Sequence, residues 1–245
     1  MLKTACHALL IFLAAAAPAE AYDIALGLKA GLTSPYFTGD DYQDWLTFQE
    51  QDFTATYGFD FDFHSKWKTG LTAGAFFTLG LTRGFALQPE LLLTAAGGAY
   101  GYDETDYYYA LKMTDQLRIL ELPLLAVGRL QRNRTELKIF AGPAPCLRIG
   151  EVGIRIEENG YVASGEYAED QFARLFLSMV CGAGLTFFLH GGYFVSLDTR
   201  FSVGLTPVIN SDRTGLESWK QNSFQVLAGF GRLLTGQKSL RSRLR

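Results

Sequence analysis

Tyr22 to Thr33 reads YDIALGLKAGLT, with Tyr22, Ile24, Leu26, Leu28, Ala30 and Leu32 on one side of an extended chain and Asp23, Gly27, Lys29, Gly31 and Thr33 on the other. Successive side chains of a strand point to opposite faces, so this segment has an apolar face and a polar one. The same period of two returns in Trp67 to Thr82, Phe85 to Ala99, Gln116 to Leu130, Glu136 to Ile149, Phe172 to Leu189, Tyr193 to Thr206 and Asn222 to Leu233, which makes eight strands in all.

The connections alternate in length. Arg83-Gly84, Gln131 to Thr135 and His190-Gly191-Gly192 are tight; Ser34 to Ser65, Tyr100 to Thr114, Gly150 to Asp170 and Pro207 to Gln221 are long. Alternation defines two faces without saying which one meets lipid, so it suits a soluble sandwich as well as a barrel. The loop asymmetry and the charges on the polar face favour an all-β fold: an eight-stranded antiparallel up-and-down transmembrane β-barrel with its long loops outside the cell.

Residues ahead of the first strand agree with that location. Lys3, the apolar run Ala8 to Ala17 and Ala19-Glu20-Ala21 form the n-region, h-region and cleavage site of a secretory signal peptide. The apolar run is shorter than the roughly 20 residues of a spanning helix, and no later run approaches that length. The expected organisation is a signal peptide over 1–21, a barrel over 22–234 and a basic tail over 235–245, in the outer membrane of a two-membrane bacterium.

Several function classes are disfavoured. A net charge of -3 leaves no basic footprint for nucleic acid. No GxSxG, HExxH, CxxC or phosphate-cradling glycine motif occurs, so no catalytic, cofactor-binding or metal residue is assigned and no cofactor is expected. Cys146 falls on an inward position and Cys181 on an outward one, which argues against a disulfide between them.

The polar faces carry Lys29, Glu90, Glu121, Lys138, Arg148, Arg174, Asp198 and Arg200. Eight strands enclose a lumen just wide enough for side chains to fill, so these residues read as a structural polar network in preference to a channel lining. Lys29 should meet Glu90, Glu121 or Asp198. Glu90 and Glu121 also resemble an acid and base pair, although neighbouring cations would neutralise them. Asp60, Asp62 and His64 could edge a metal site; their period of two reads more simply as an amphipathic strand above the bilayer.

An acidic rim lies in the loops: Asp40, Asp41, Asp44, Glu50 and Asp52, then Asp103, Glu104 and Asp106, then Glu157, Glu158, Glu166, Glu169 and Asp170, interleaved with Tyr and Trp. These acidic aromatic loops are where an extracellular ligand would bind, or else they form an interfacial girdle with solvated acids. Pro89, Pro123 and Pro143 fall inside strands and cannot donate to a ladder, so bulges or broken pairing are expected there.

Lys68-Thr69-Gly70, Leu87-Gln88-Pro89-Glu90-Leu91, Leu120-Glu121-Leu122-Pro123-Leu124-Leu125, Phe140-Ala141-Gly142-Pro143 and Leu197-Asp198-Thr199-Arg200-Phe201-Ser202-Val203-Gly204-Leu205 follow in the order seen in the PorT-like outer-membrane β-barrel domain family, which the chain resembles over its whole mature length. Many members stop on an aromatic residue of the last strand; this chain runs past Leu233 into TGQKSLRSRLR. The resemblance implies an envelope protein inserted by the barrel-assembly machinery and surrounded by outer-membrane lipid. Three functions stay open: a non-enzymatic scaffold or surface-interaction protein, a porin-like small-solute pore, and a lipid-modifying enzyme.

Overall fold

The computed structural model describes residues 23–58, 60–103, 110–158, 161–167, 171–210 and 218–234. The expected signal peptide and basic tail, together with Tyr22, Phe59, Glu104, Asp106, Glu169 and Asp170, lie outside the described residues.

Strand β1 (Asp23–Thr38) pairs on one side with β3 (Gly70–Gly80) and on the other with β13 (Lys220–Leu233), so the first and last strands close the sheet on itself. Around the wall β3 is followed by β4 (Phe85–Ala96), then by β6 (Leu111–Glu121) with β7 (Leu124–Arg132), then by β8 (Thr135–Arg148), β11 (Leu175–Phe188) and β12 (Tyr193–Gly204). β6 and β7 form one wall strand. Their pairing with β4 and with β8 keeps the same register above and below Leu122-Pro123, so the barrel has eight antiparallel wall strands.

The proline expectation resolves into lapsed pairing with no inserted residue. Pro123 has no N–H to give, and the ladder breaks there; its carbonyl still accepts from the Glu90 N–H at 2.9 Å. Opposite Pro89, pairing between β3 and β4 stops at Phe76↔Glu90 and resumes at Leu79↔Leu87 without a slip. Pro143 stays in register with Met179.

Burial decides which face meets lipid. Leu28 is 68% exposed and its neighbour Lys29 is 3% exposed; the same inversion repeats at Ile139 beside Lys138 and at Leu197 beside Asp198. A soluble sandwich would bury the leucines, so the outer wall is a lipid-facing surface. Leu79 departs from the pattern, being buried on the expected outer face. Cys146 is buried and Cys181 exposed, and both are free thiols.

The loop end departs from the sequence reading. β1 continues to Thr38, and where an irregular loop was expected an 18-residue helix, α1 (Asp40–Tyr57), follows. Asp40 and Asp41 favour its positive N-terminus, and Gly58, at φ 77°, ends it with an N–H bonded to the Thr54 carbonyl at 2.8 Å. Four further strands rise above the lipid band: β2 (His64–Lys66), β5 (Ala99–Tyr102), β9 (Gly153–Glu158) and β10 (Tyr161–Glu166). They pair with the upper half of β6 and with one another in the order β10, β9, β6, β5, β2. Among the described residues no helix is long and apolar enough to cross a membrane.

Candidate functional site

The lumen fills in layers. Nearest the tight turns, Asp23 takes both Nη1 contacts of Arg129 at 3.0 and 2.9 Å, and an apolar layer of Ala25, Phe76, Phe188, Phe194 and Leu233 lies above it. The cavity between them, about 30 Å³, holds about one water-sized sphere.

Next comes the ionic layer. Lys29 on β1 reaches Glu90 on β4 at 2.7 Å and Asp198 on β12 at 2.9 Å. Lys138 on β8 reaches the other Asp198 oxygen at 2.8 Å, and Arg200 on β12 grips Glu90 with contacts of 2.7 and 3.3 Å. Gln88 donates to Glu90 at 2.6 Å, while Lys29 and Arg200 rest over the rings of Phe76 and Phe140. Three cations and two carboxylates from four wall strands therefore tie the barrel across its interior.

Glu121 is buried but stands apart. It accepts from the Gln225 amide at 3.3 Å, and Lys29 meets Glu90 and Asp198 in its place. Two of the eight expected lumen residues lie elsewhere. Arg174 is exposed, because β11 starts only at Leu175 and the residue before it lies past the end of the strand, beyond the buried Phe176 on the same face. Arg148, half-buried at the end of β8, bonds the carbonyls of Gly150 and Phe172. Glu90, held by Lys29 and Arg200, and Glu121, bonded to Gln225, have no shared proton-transfer geometry.

Above the polar layers the mouth is roofed. Tyr42 and Leu46 of α1 pack with Phe37, Tyr100, Leu117, Phe172, Phe176 and Trp219. Trp219 sits at 5.7, 5.0 and 5.4 Å from the rings of Phe37, Tyr42 and Trp45. The roof is pinned by reciprocal bonds: the Asp41 N–H donates to the Ser218 hydroxyl at 2.8 Å, and the Ser218 N–H to the Asp41 carboxylate at 2.7 Å. Gln221 bridges Gly97 and the Tyr36 carbonyl.

Beside the roof, Asp115 on the part of β6 above the lipid band accepts from the Tyr167 hydroxyl at 2.9 Å, with the Tyr100 hydroxyl at 3.5 Å. Burial pushes its carboxyl up to about 6, against the opposing pull of Tyr167 and Lys68. Burial likewise raises both tyrosines and brings the Lys68 ammonium down to about 8. Lys68 bonds the carbonyls of Ala96 and Asp115.

Several rim acids are engaged: Asp41 with Ser218, Asp103 with Lys66 and His64, Glu157 with Arg155. Around His64, Phe61 and Phe63 are buried while Asp60 and Asp62 are exposed, which is the alternation of an amphipathic strand. The Lys66 ammonium on Asp103 opposes a metal cation there. His190 is exposed in its turn.

Sequence reasoning missed α1 as a roof, the Trp219 cluster and the Asp115–Tyr167 contact. Tyr42, Trp45 and Leu46, at helical spacing between Gly39 and Gly58, were the available signal for the first. The other two join residues distant in sequence, and no local pattern announces them.

A family model described as outer membrane protein beta-barrel domain matches residues 21–210. No curated protein matches the sequence. Among solved structures, the chain is similar to Neisserial surface protein A at 7% identity and TM-score 0.43, covering 85% of this chain and 97% of that one. It is similar to OprG of Pseudomonas aeruginosa at 10% identity and TM-score 0.42, covering 86% and 95%. It is also similar to Ail of Yersinia pestis at 13% identity and TM-score 0.36, covering 84% and 97%.

Proposed function

Because the chain belongs to the outer membrane protein beta-barrel domain family and so resides in the bacterial outer membrane, we propose that it is a sealed, non-enzymatic scaffold that holds a folded cap at the cell surface. The observation that carries this reading is the double closure of the lumen. An ion-paired layer from four strands lies under an aromatic roof supplied by α1 and Trp219. A conducting pore would need both to part, and breaking buried ion pairs without replacement costs several kcal/mol.

Two further features support a surface role. The cap adds an 18-residue helix and a five-stranded sheet beyond what a barrel needs to span the membrane. Exposed Phe48, Tyr57, Tyr161 and Val162 on that cap offer apolar anchors for an extracellular partner. Within the family, the motif order from Lys68 to Leu205 supports the PorT-like branch, with insertion by the barrel-assembly machinery.

Planar-bilayer recording tests the sealed lumen. The purified protein is expected to give no discrete conductance steps; steady steps that scale with salt concentration would establish the pore alternative. For the lipid-modifying alternative, Glu90 and His64 are the candidate residues, and Glu90 is already occupied by Lys29 and Arg200.

A further inference from the structure

The cap sheet ends differently on its two sides. At one end β2 is three residues long, and its His64 and Lys66 both turn to Asp103, so that edge is short and charged. At the other end β10 pairs only with β9, and all six of its residues are exposed, Tyr161 by 80%. Native sheets blunt such an edge with proline, lysine, a bulge or a covering segment. Tyr161-Val162-Ala163-Ser164-Gly165-Glu166 has no proline or lysine, pairs with β9 without a slip and lies under no described segment.

The register fixes which backbone groups are left over. The Tyr167 N–H donates to the Val152 carbonyl at 2.9 Å, just past the paired ends of β10 and β9, so the odd-numbered residues of β10 turn their N–H and C=O toward β9. Pairing alternates along an antiparallel strand, and Val162, Ser164 and Glu166 therefore turn theirs away. Those donors and acceptors have only water to meet, and the strand buries no side chain of its own that would hold it extended.

Val162, Ser164 and Glu166 also share one face, with Glu157 and Arg155 of β9 opposite the first two. Arg155 bonds Glu157 at 2.6 Å and Lys112 of β6 lies opposite it, so Glu157 is compensated from both sides. Glu166, and Glu158 on the other face, pair with no cation among the described residues. The edge is thus open in its backbone and acidic in its side chains.

We propose that β10 is the docking edge for an extended polypeptide segment of a surface partner, added as a further antiparallel strand with a lysine or arginine opposite Glu166 and a β-branched residue opposite Val162. This names the partner class of the surface role proposed above and rests on it. Antiparallel alignment places the cation four positions ahead of the β-branched residue, the spacing of Val162 and Glu166. Main-chain bonds to the even-numbered residues supply attachment, and side chains at alternate positions supply the choice. A second copy of this chain fits poorly, since it would bring Glu158 and Glu166 of both copies to one seam.

Amide exchange in the detergent-solubilised protein, with a polythreonine peptide carrying Lys and, four positions later, Val, tests the edge. At saturation the amides of Val162, Ser164 and Glu166 are expected to slow about tenfold, while those of Tyr161, Ala163 and Gly165 are slow already. Ser164→Pro removes one edge donor without touching the ladder to β9; it should weaken the peptide about tenfold by fluorescence anisotropy, whereas Ser164→Ala should bind it as the native chain does. Glu166→Lys should weaken it about fivefold and bind a peptide with Glu in place of Lys. Heat-modifiable gel mobility and slow exchange at Tyr161 and Ala163 verify that each variant folds. No slowing at the even-numbered amides, or a native dimer in which they are already slow, overturns the proposal. So does native-strength binding by Ser164→Pro, which would leave the surface role to another face of the cap. The sealed scaffold answers separately to the bilayer recording.

Discussion

At the scale of residues, the protein separates carboxylates held by cations from those, such as Asp115 and Glu121, held by neutral donors. Lys29 joins two carboxylates on different strands, so its removal leaves Glu90 and Asp198 each with one partner fewer. Lys29→Met is expected to lower stability in micelles by about 3 kcal/mol, measured as a fall in the urea midpoint. Adding Glu90→Gln should recover part of that loss; an unchanged midpoint in the single variant would mean that the bridge contributes little. Asp115 behaves in the opposite sense. Between about pH 4 and 6 the folded chain holds a proton there that the unfolded chain has released, so its contribution is fully present at low pH and is lost as pH rises through about 6. Asp115→Asn keeps an acceptor for Tyr167 without a buried charge. At pH 7.5 it should slow proteolysis of the cap and flatten the dependence of cleavage on pH over that interval; faster cleavage would show that the ionised carboxylate is what Tyr167 requires. Lys29 was legible in the sequence because it sits alone among apolar neighbours on an alternating strand. Asp115 was not, since its partners reach it from β5 (Tyr100) and from the segment after β10 (Tyr167).

At the scale of elements, strands and helix differ in how visibly they are encoded. A wall strand repeats every two residues and must do so over its whole length, because each outward side chain faces lipid and each inward one faces a crowded lumen. Hence the strands from Phe85, Glu136, Phe172 and Tyr193 lie close to where alternation places them. α1 has a weaker signature. Only Tyr42 and Leu46 are buried on it, and most of its remaining length carries polar residues in solvent. Likewise β10 is exposed along its whole length, so no oily row marks it, and half-buried β9 offers only Ile154 and Ile156. What holds α1 down is Trp219, from the far end of the chain. Trp219→Ala should therefore leave the barrel resistant to protease while cleavage within Asp40–Tyr57 accelerates at least tenfold, a modest share of the roughly 3–5 kcal/mol that such a truncation costs. Cleavage at the native rate would show that the Asp41–Ser218 bonds suffice.

At the scale of the whole molecule, closure is the decisive event, and the β1–β13 seam is where it happens. Gly31 lies in that seam, and a Cβ there would fall 1.9 Å from the Val226 carbonyl oxygen, which is backbone and cannot step aside cheaply. Gly31→Ala is expected to reduce the yield of heat-modifiable, folded barrel severalfold in refolding from urea, and an undiminished yield would show that the seam has slack. The sequence by itself determined the number of wall strands, their two faces apart from Leu79, the tight and long ends, and the placement of Cys146 and Cys181 on opposite faces, since all of these follow from a period of two and from loop lengths. Only the tertiary structure decided that the polar face is the inside, that six of the eight expected polar residues are buried while Arg148 and Arg174 lie at the mouth, and that a helix roofs the barrel. The physical reason is that alternation is a local property of one strand, whereas inside and outside exist only once the first strand has met the last.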